Sequence, residues 1–423
     1  MCGIAGWVDF RRNIYSEDGV MAKISQTLAE RGPDEHGSFK TNEAYLVQRR
    51  LIIIDPENGK QPMKRSHRGE DYIIVYNGML YNASELRAEL EPLGYRFSGH
   101  SDTEVLLSAY IEWKEDCLDK LNGIFAVAIW DDSEKKLFLA RDRIGVKPLF
   151  YYKYDGGIIF GSEIKSILAH PYVKPEIDNE GIASVMLLGP AQMPGNGVFK
   201  GIKEIKPGHF AEFYDGGFDI KRYWRLIPRR HDEDVFETAE HLTSLVTDAI
   251  TRQLVSDVPL CTFLSGGLDS SFISAVAASH FIKHGEVLNT FSVDFKDNDK
   301  NFHANEFQPD SDLPWIKRMA EFCGSNHHYV ELDTPMLAEA LFDACEARDL
   351  PGMADVDSSL MLFCREVKRQ GFNVVLSGEC ADELFGGYPW YHNHEILFQD
   401  GFPWSTATDE RKSLLRKGVL GDI

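Results

Sequence analysis

Ser265-Gly266-Gly267-Leu268-Asp269-Ser270-Ser271 sits between two stretches of opposite periodicity. Residues 258–264 form an apolar run with the length of a buried strand, and Phe272, Ile273, Val276, Ala277 and Phe281 then repeat at helical spacing. The loop therefore joins a strand to a helix. Two adjacent glycines let the backbone turn tightly and aim successive N–H groups at one point, where the helix start adds partial positive charge. Such a loop is a phosphate cradle; taken alone, it is equally an ordinary glycine turn. No G-x-x-x-x-G-K-[ST] occurs in the chain, and no lysine follows the glycines. Asp269 instead falls in the first helical turn, and a carboxylate beside polyphosphate repels it unless a magnesium ion bridges the two. Val374-Val375-Leu376 followed by Ser377-Gly378-Glu379-Cys380-Ala381-Asp382-Glu383 repeats the arrangement with more acid. Two such units are suited to hold one metal-pyrophosphate between them.

The pattern extends on both sides. Helix 235–253, strand 258–264, helix 268–283, strand 288–295, helix 313–323, strand 327–331 and two further helices precede strand 374–376. This alternation predicts a doubly wound parallel sheet with ligand at the carboxyl ends of its strands, where both glycine loops fall. Residues 297–312 read as a polar loop, a candidate cover for a nucleotide. His327-His328 and the run Trp390-Tyr391-His392-Asn393-His394 lack a thiol or carboxylate at ligand spacing and read as surface or core histidines. The charged stretch Pro228-Arg229-Arg230-His231-Asp232-Glu233-Asp234 reads as a linker.

Before the linker the pattern is different. Strands are expected at 3–10, 71–76, 123–131, 137–142 and 149–152, with a hairpin at 210–224 and few helices between them. Short strands of this kind fit two stacked antiparallel sheets sandwiched by helices. Ser16 is expected to open a helix with Val20, Met21, Ile24 and Leu28 on one face, and Ser101-Asp102-Thr103-Glu104 opens another. Cys2 follows Met1 directly, a position that permits methionine removal. That leaves a free α-amine on the residue that carries the thiol, with an ordinary pKa of about 7.7–8.0, able to take the thiol proton without a histidine. Cys2 is also readable as a small buried hydrophobe. Asn77-Gly78 is by turn chemistry a hairpin signal. Asp102 reads plainly as a first-turn acid. The segment Arg141-Asp142-Arg143-Ile144-Gly145-Val146-Lys147-Pro148-Leu149 reads as architecture.

At 423 residues the chain has length for two or three domains. Its net charge of -21 and pI of about 5.1 argue against nucleic-acid or membrane-surface partners. The seven cysteines, an odd number without a C-x-x-C pair, suggest a reducing compartment, so a cytoplasmic protein is expected and secretion is not.

Residues 265–271 and 377–387 resemble the pyrophosphate-loop signatures of ATP pyrophosphatases, and Met1-Cys2-Gly3-Ile4 resembles the start of a class II glutamine amidotransferase. Together, over nearly the whole chain, they resemble the glutamine-hydrolysing asparagine synthetases. The resemblance implies an N-terminal αββα Ntn-hydrolase sandwich in residues 1–227. A doubly wound parallel α/β domain of the adenine nucleotide alpha hydrolase type is implied for 228–423. It implies that Cys2 attacks glutamine's side-chain amide, that Asn77 and Gly78 form the oxyanion hole, and that Asp102 binds the α-ammonium. Arg50, a cation beside the β-branched run 52–54, is suited to grip the α-carboxylate in two prongs and is equally readable as a solvated strand-end arginine. Leu264, Val293, Ser377 and Gly378 match nucleotide-binding positions. By the same resemblance Ser265, Gly266, Gly267, Asp269 and Ser270 with Mg2+ are expected to hold the pyrophosphate of ATP, Glu379 to serve formation of β-aspartyl-AMP, and Asp269 and Asp382 to be the metal carboxylates. Glutamine, aspartate and ATP are the implied partners, with a homodimer as a further expectation. The sequence departs from the family at Met79, where a glutamate ordinarily helps hold the α-ammonium; weaker glutamine binding is expected. It also stops at Ile423, short of a further helical region in family members, so a C-terminally truncated synthetase site is expected. Amidation of another carboxylate, as in β-lactam-forming or peptide-modifying relatives, and a degenerate regulatory role are the alternatives.

Overall fold

Long-range strand pairing organises the first 229 residues. The computed structural model describes residues 1–189, 191–304, 310–399, 402, 408–416 and 418. They divide into two units, one mainly on residues 1–229 and the other mainly on 230–414. In the first, the strands are β1 (Gly3–Asp9), β2 (Glu35–Lys40), β3 (Ala44–Arg50), β4 (Met63–His67), β5 (Glu70–Leu80), β6 (Gly123–Asp131) and β7 (Lys136–Arg141). After these come β8 (Phe150–Tyr154), β9 (Gly157–Gly161), β10 (Ile202–Glu204), β11 (His209–Tyr214) and β12 (Gly217–Arg222). They pair into two antiparallel sheets, ordered β10-β8-β9-β1-β3-β2 and β12-β11-β7-β6-β5-β4.

The two sheets share a core. Ile4, Val8, Leu46 and Phe160 of the first pack with Ile73, Val75, Ala128, Trp130 and Leu139 of the second, all fully buried. Burying a large aliphatic or aromatic side chain contributes about 1.5–3 kcal/mol, so this interface stabilises the unit substantially. On the outer face of the second sheet, Tyr72, Ile74 and Tyr76 meet Val105, Leu106, Ala109 and Tyr110 of the helix Asp102–Trp113. Helices Asp18–Thr27 and Ile164–Leu168 pack on the outer face of the first. The order of layers is αββα, as the sequence suggests.

Two local expectations fail. β5 does not end at Tyr76, and Asn77-Gly78 is not a hairpin turn: the strand runs on to Leu80, paired with β6 from Tyr72↔Asp131 to Leu80↔Gly123. Nine consecutive cross-strand pairs outweigh the turn preference of a dipeptide. Alternation then sets Asn77 on the same face as Ile73 and Val75, toward the first sheet. The helix Asp18–Thr27 has Glu17 at its N-cap with no side-chain cap bond, so Ser16 does not open it. Ser101 does cap its helix, accepting from Thr103 N at 3.2 Å.

The second unit holds β13 (Leu260–Phe263), β14 (Asn289–Phe295), β15 (Asn326–Leu332) and β16 (Val374–Leu376), all parallel in the order β15-β14-β13-β16. Helices Leu268–Lys283 and Leu313–Cys323 occupy the ranges read from periodicity. Cys261, Phe291, Val330, Phe363 and Val367 form its core. The chain lays β14 and β15 to one side of β13 and returns to place β16 on the other. The strand order therefore reverses beside β13, at the edge where α/β sheets bind ligands. His327 hydrogen-bonds Thr290 Oγ1 at 2.8 Å and Ser292 Oγ at 3.0 Å, a cross-strand role. Within the 297–312 loop, Asn298–Asn301 is a short helix and 305–309 lie outside the described residues. Among the described residues no helix is long and apolar enough to cross a membrane.

Candidate functional site

Cys2 precedes β1 by one residue, and β1 pairs with β3 so that Gly3 faces Arg49. The thiol therefore lies at the open end of the first sheet, where its Sγ donates to Leu51 O at 3.6 Å. Arg31 fixes the residue from the other side, giving Nε to Cys2 O at 3.0 Å and Nη1 to Glu163 Oε1 at 2.9 Å. The turn carrying Arg31 reaches β3 only because Gly32 has no side chain: a Cβ there would lie 2.2 Å from the Arg49 carbonyl carbon. Burial pushes the Cys2 thiol up, against lowering by the Leu51 contact, the N-terminal charge and Arg50.

A cavity of about 70 Å³ lies over this thiol, walled by Met1, Cys2, Arg50, Leu51, Asn77, Gly78, Met79, Asp102 and Lys147, among others. Asn77 is 1% exposed, and its Nδ2 is a buried donor without a hydrogen-bond partner. Such an orphan costs about 1–3 kcal/mol unless something else binds it. Gly78 is held in the ladder so tightly that a Cβ would sit 2.3 Å from Ile124 O. Asp102 is buried, its Oδ2 accepting from Tyr76 Oη and Leu80 N, each at 3.0 Å, and burial raises its proton affinity.

Arg50 is placed in the cavity wall but is not free for a two-pronged grip. Nη1 donates to Glu35 Oε2 at 2.8 Å and Pro56 O at 3.3 Å, and Nη2 to Ile54 O at 2.9 Å and Asp55 O at 2.7 Å. The sequence reading missed Arg31, Tyr76 and Lys147. The segment 141–149 is architecture through Asp142, whose carboxylate accepts from the amides of Phe125, Ile144, Gly145, Val146 and Lys147. It also sends one side chain, Lys147, into the cavity.

In the second unit the strand ends of β13 and β16 lie side by side, with Thr262 opposite Leu376. Gly266 turns at φ +80°, and Gly267 caps the helix Leu268–Lys283. Ser265 Oγ and Ser270 Oγ are 2.9 Å apart, and they accept the amides of Gly267 and Ser265 at 3.3 and 3.2 Å. Two loop amides are thus bound to serine hydroxyls. A Cβ on Gly378 would lie 3.1 Å from Asp269 Cβ, so the second loop touches the first. Burial, and then the charge of Asp382, raise the Asp269 carboxyl. Leu264 is buried and gives its N–H to Phe291 O at 2.8 Å, while Val293 lies farther along β14 toward the same edge. Glu379 is exposed, with its amide 3.4 Å from Ser377 Oγ. Cys380 takes the left-handed conformation at φ +72°, which favours glycine.

Two family models match: a glutamine amidotransferase domain over residues 1–224 and asparagine synthase over 241–422. The chain is 51% identical over 416 residues to asparagine synthetase [glutamine-hydrolyzing] 3 of Bacillus subtilis, covering 98% of this chain and 67% of that protein. It is 34% identical to asparagine synthetase [glutamine-hydrolyzing] 1 of the same organism, covering 92% and 59%. Among solved structures it is similar to B. subtilis glutamine phosphoribosylpyrophosphate amidotransferase complexed with ADP and GMP. That match has a TM-score of 0.41 and 15% identity, over 92% of this chain and 97% of the other.

Proposed function

Because the chain belongs to the glutamine-hydrolysing asparagine synthetase family, we propose that it makes asparagine from aspartate and ATP with ammonia cut from glutamine. We assign the glutaminase to residues 1–227 and the synthetase to 228–423, working in the cytoplasm as a homodimer. The observation that carries the reading is the buried, unpartnered Nδ2 of Asn77 in the cavity that holds Cys2.

Once Met1 is removed, the α-amine of Cys2 takes the thiol proton as Sγ bonds to the amide carbon of glutamine. The oxygen that becomes negative is met by Asn77 Nδ2 and Gly78 N–H. As the carbon–nitrogen bond breaks, the proton passes from the α-ammonium to the departing nitrogen, giving ammonia, and water then hydrolyses the thioester to glutamate. Asp102 faces the substrate α-ammonium, and Arg50 contributes charge toward the α-carboxylate. In the second unit, ATP lies across the strand ends against Leu264, Val293, Ser377 and Gly378. The first loop, from Ser265 to Ser270, holds its pyrophosphate. Asp269 and Asp382 are adjacent hard-oxygen donors whose mutual repulsion a cation would relieve, and so fit Mg2+. Bound Mg2+ would neutralise phosphate charge. Glu379, exposed at the second loop, serves the step in which aspartate's β-carboxylate displaces pyrophosphate.

ATP-dependent product formation, followed by mass spectrometry with glutamine and then ammonia as donor, tests this. Asparagine, AMP and pyrophosphate in equal amounts are expected, and their absence with both donors rejects it. A second measurement concerns Met79, which lines the cavity but cannot accept a bond from an ammonium. Met79→Glu is expected to lower the glutamine KM by about one to two orders of magnitude, as a charged hydrogen bond of roughly 1.5–3 kcal/mol implies, with ammonia use unchanged.

A further inference from the structure

Lys147 is a buried cation inside the Cys2 cavity to which the reaction above gives no task. The residue is 9% exposed. Its backbone is pinned at both ends: its amide donates to Asp142 Oδ2 at 3.0 Å and its carbonyl accepts from Arg141 Nε at 2.7 Å. The loop is a rigid arm that delivers the ammonium to the cavity, where Nζ lies 3.2 Å from Met1 Sδ. The side chain therefore stands against the residue whose removal exposes the Cys2 amine.

The other charged groups around Cys2 are already engaged. Arg31 is paired with Glu163 and Cys2 O, and Arg50 with Glu35. Asp142 is occupied by five backbone amides. Asp102 is held by Tyr76 and Leu80, and burial keeps the hydroxyls of Tyr76 and Tyr81 protonated. Among the described residues, no carboxylate forms an ion pair with Lys147 Nζ.

We propose that Lys147 is a positioning residue for glutamine hydrolysis: its ammonium disfavours a second positive charge on the Cys2 α-amine and so keeps that amine free to take the thiol proton. This rests on the reading of Cys2 as an N-terminal nucleophile. Two ammonium groups sharing a poorly solvated cavity repel, and at separations under about 10 Å the effect on the weaker base is about one pH unit. Burial, and then the charge of Arg31, bring the Lys147 amine itself down to about 8, against raising by Asp142 and the Cys2 side chain.

Two pH profiles test the proposal on processed protein: kcat/KM for glutamine, and the rate of Cys2 alkylation by iodoacetamide. Removing the cation raises the amine's proton affinity, so the acid limb moves to higher pH. Lys147→Met is expected to shift both limbs up by about one unit, an approximately tenfold loss at pH 6.5 that disappears toward pH 9. Lys147→Arg is expected to keep the wild-type limb. An unshifted limb in Lys147→Met, whether the rate is normal or uniformly depressed, overturns the proposal, as does an equal shift in Lys147→Arg. Lys147→Gln is read by the same criteria if the methionine variant does not fold. Wild-type protein that fails to turn over glutamine would overturn the assignment of Cys2 instead, while the alkylation limb continues to report the lysine's effect.

Discussion

Cys2→Ala is expected to lower glutamine hydrolysis by ~10³-fold or more, because no other group in the cavity can form the covalent intermediate. The six other cysteines lie elsewhere in the sequence, at 117, 261, 323, 345, 364 and 380, and none lines this cavity. Synthesis from added ammonia should be unaffected, since that route bypasses the thiol. Glutamate release and ammonia-dependent asparagine formation, measured on the same preparation, separate the two. If wild type and variant both release no glutamate, the first unit is not a glutaminase, and the alternative of a regulatory role gains.

Asn77→Ala should give the second-largest loss, about 10²–10³ in kcat with a smaller change in KM. Its Nδ2 is an unbonded buried donor, so the cost of desolvating it is already carried by the folded protein. Recovering that bond only when the amide oxygen becomes charged is what makes the interaction favour the transition state over bound substrate. The same absence of a partner predicts that the variant will be no less stable than wild type. A loss of both stability and KM, with kcat spared, would instead mean that Asn77 holds structure.

The elements of the second unit were legible because their signals are local and repeated. Phe272, Ile273, Val276, Ala277 and Phe281 place a helix at the range where it occurs, and strand–loop–helix alternation with two glycine loops specifies a parallel sheet. Asn77-Gly78 was misread in backbone terms for the opposite reason. The dipeptide's preference is local, but the pairing that overrides it comes from β6, some fifty residues away. Ser16 failed by one position, Glu17 occupying the cap. Lys147 left no trace in the sequence, since its direction is set by Asp142 gathering amides from two segments and by Arg141 bonding the carbonyls of Gly145, Lys147 and Ile205. Arg50 lines the cavity with Cys2, but its bonds to the carbonyls of residues 54–56 depend on a loop path that no periodicity encodes.

Met1 lies with its ammonium on Arg31 O at 3.1 Å and its sulfur between Arg31 Nη2 and Lys147 Nζ, at 3.9 and 3.2 Å. Anyone preparing this protein inherits a practical rule from that contact. If Cys2 acts as proposed, an affinity tag fused ahead of it would lock the amine that serves as base into an amide, so a purified sample could look well folded and yet be silent. Handles belong at the opposite terminus, and intact-mass measurement should accompany every activity assay.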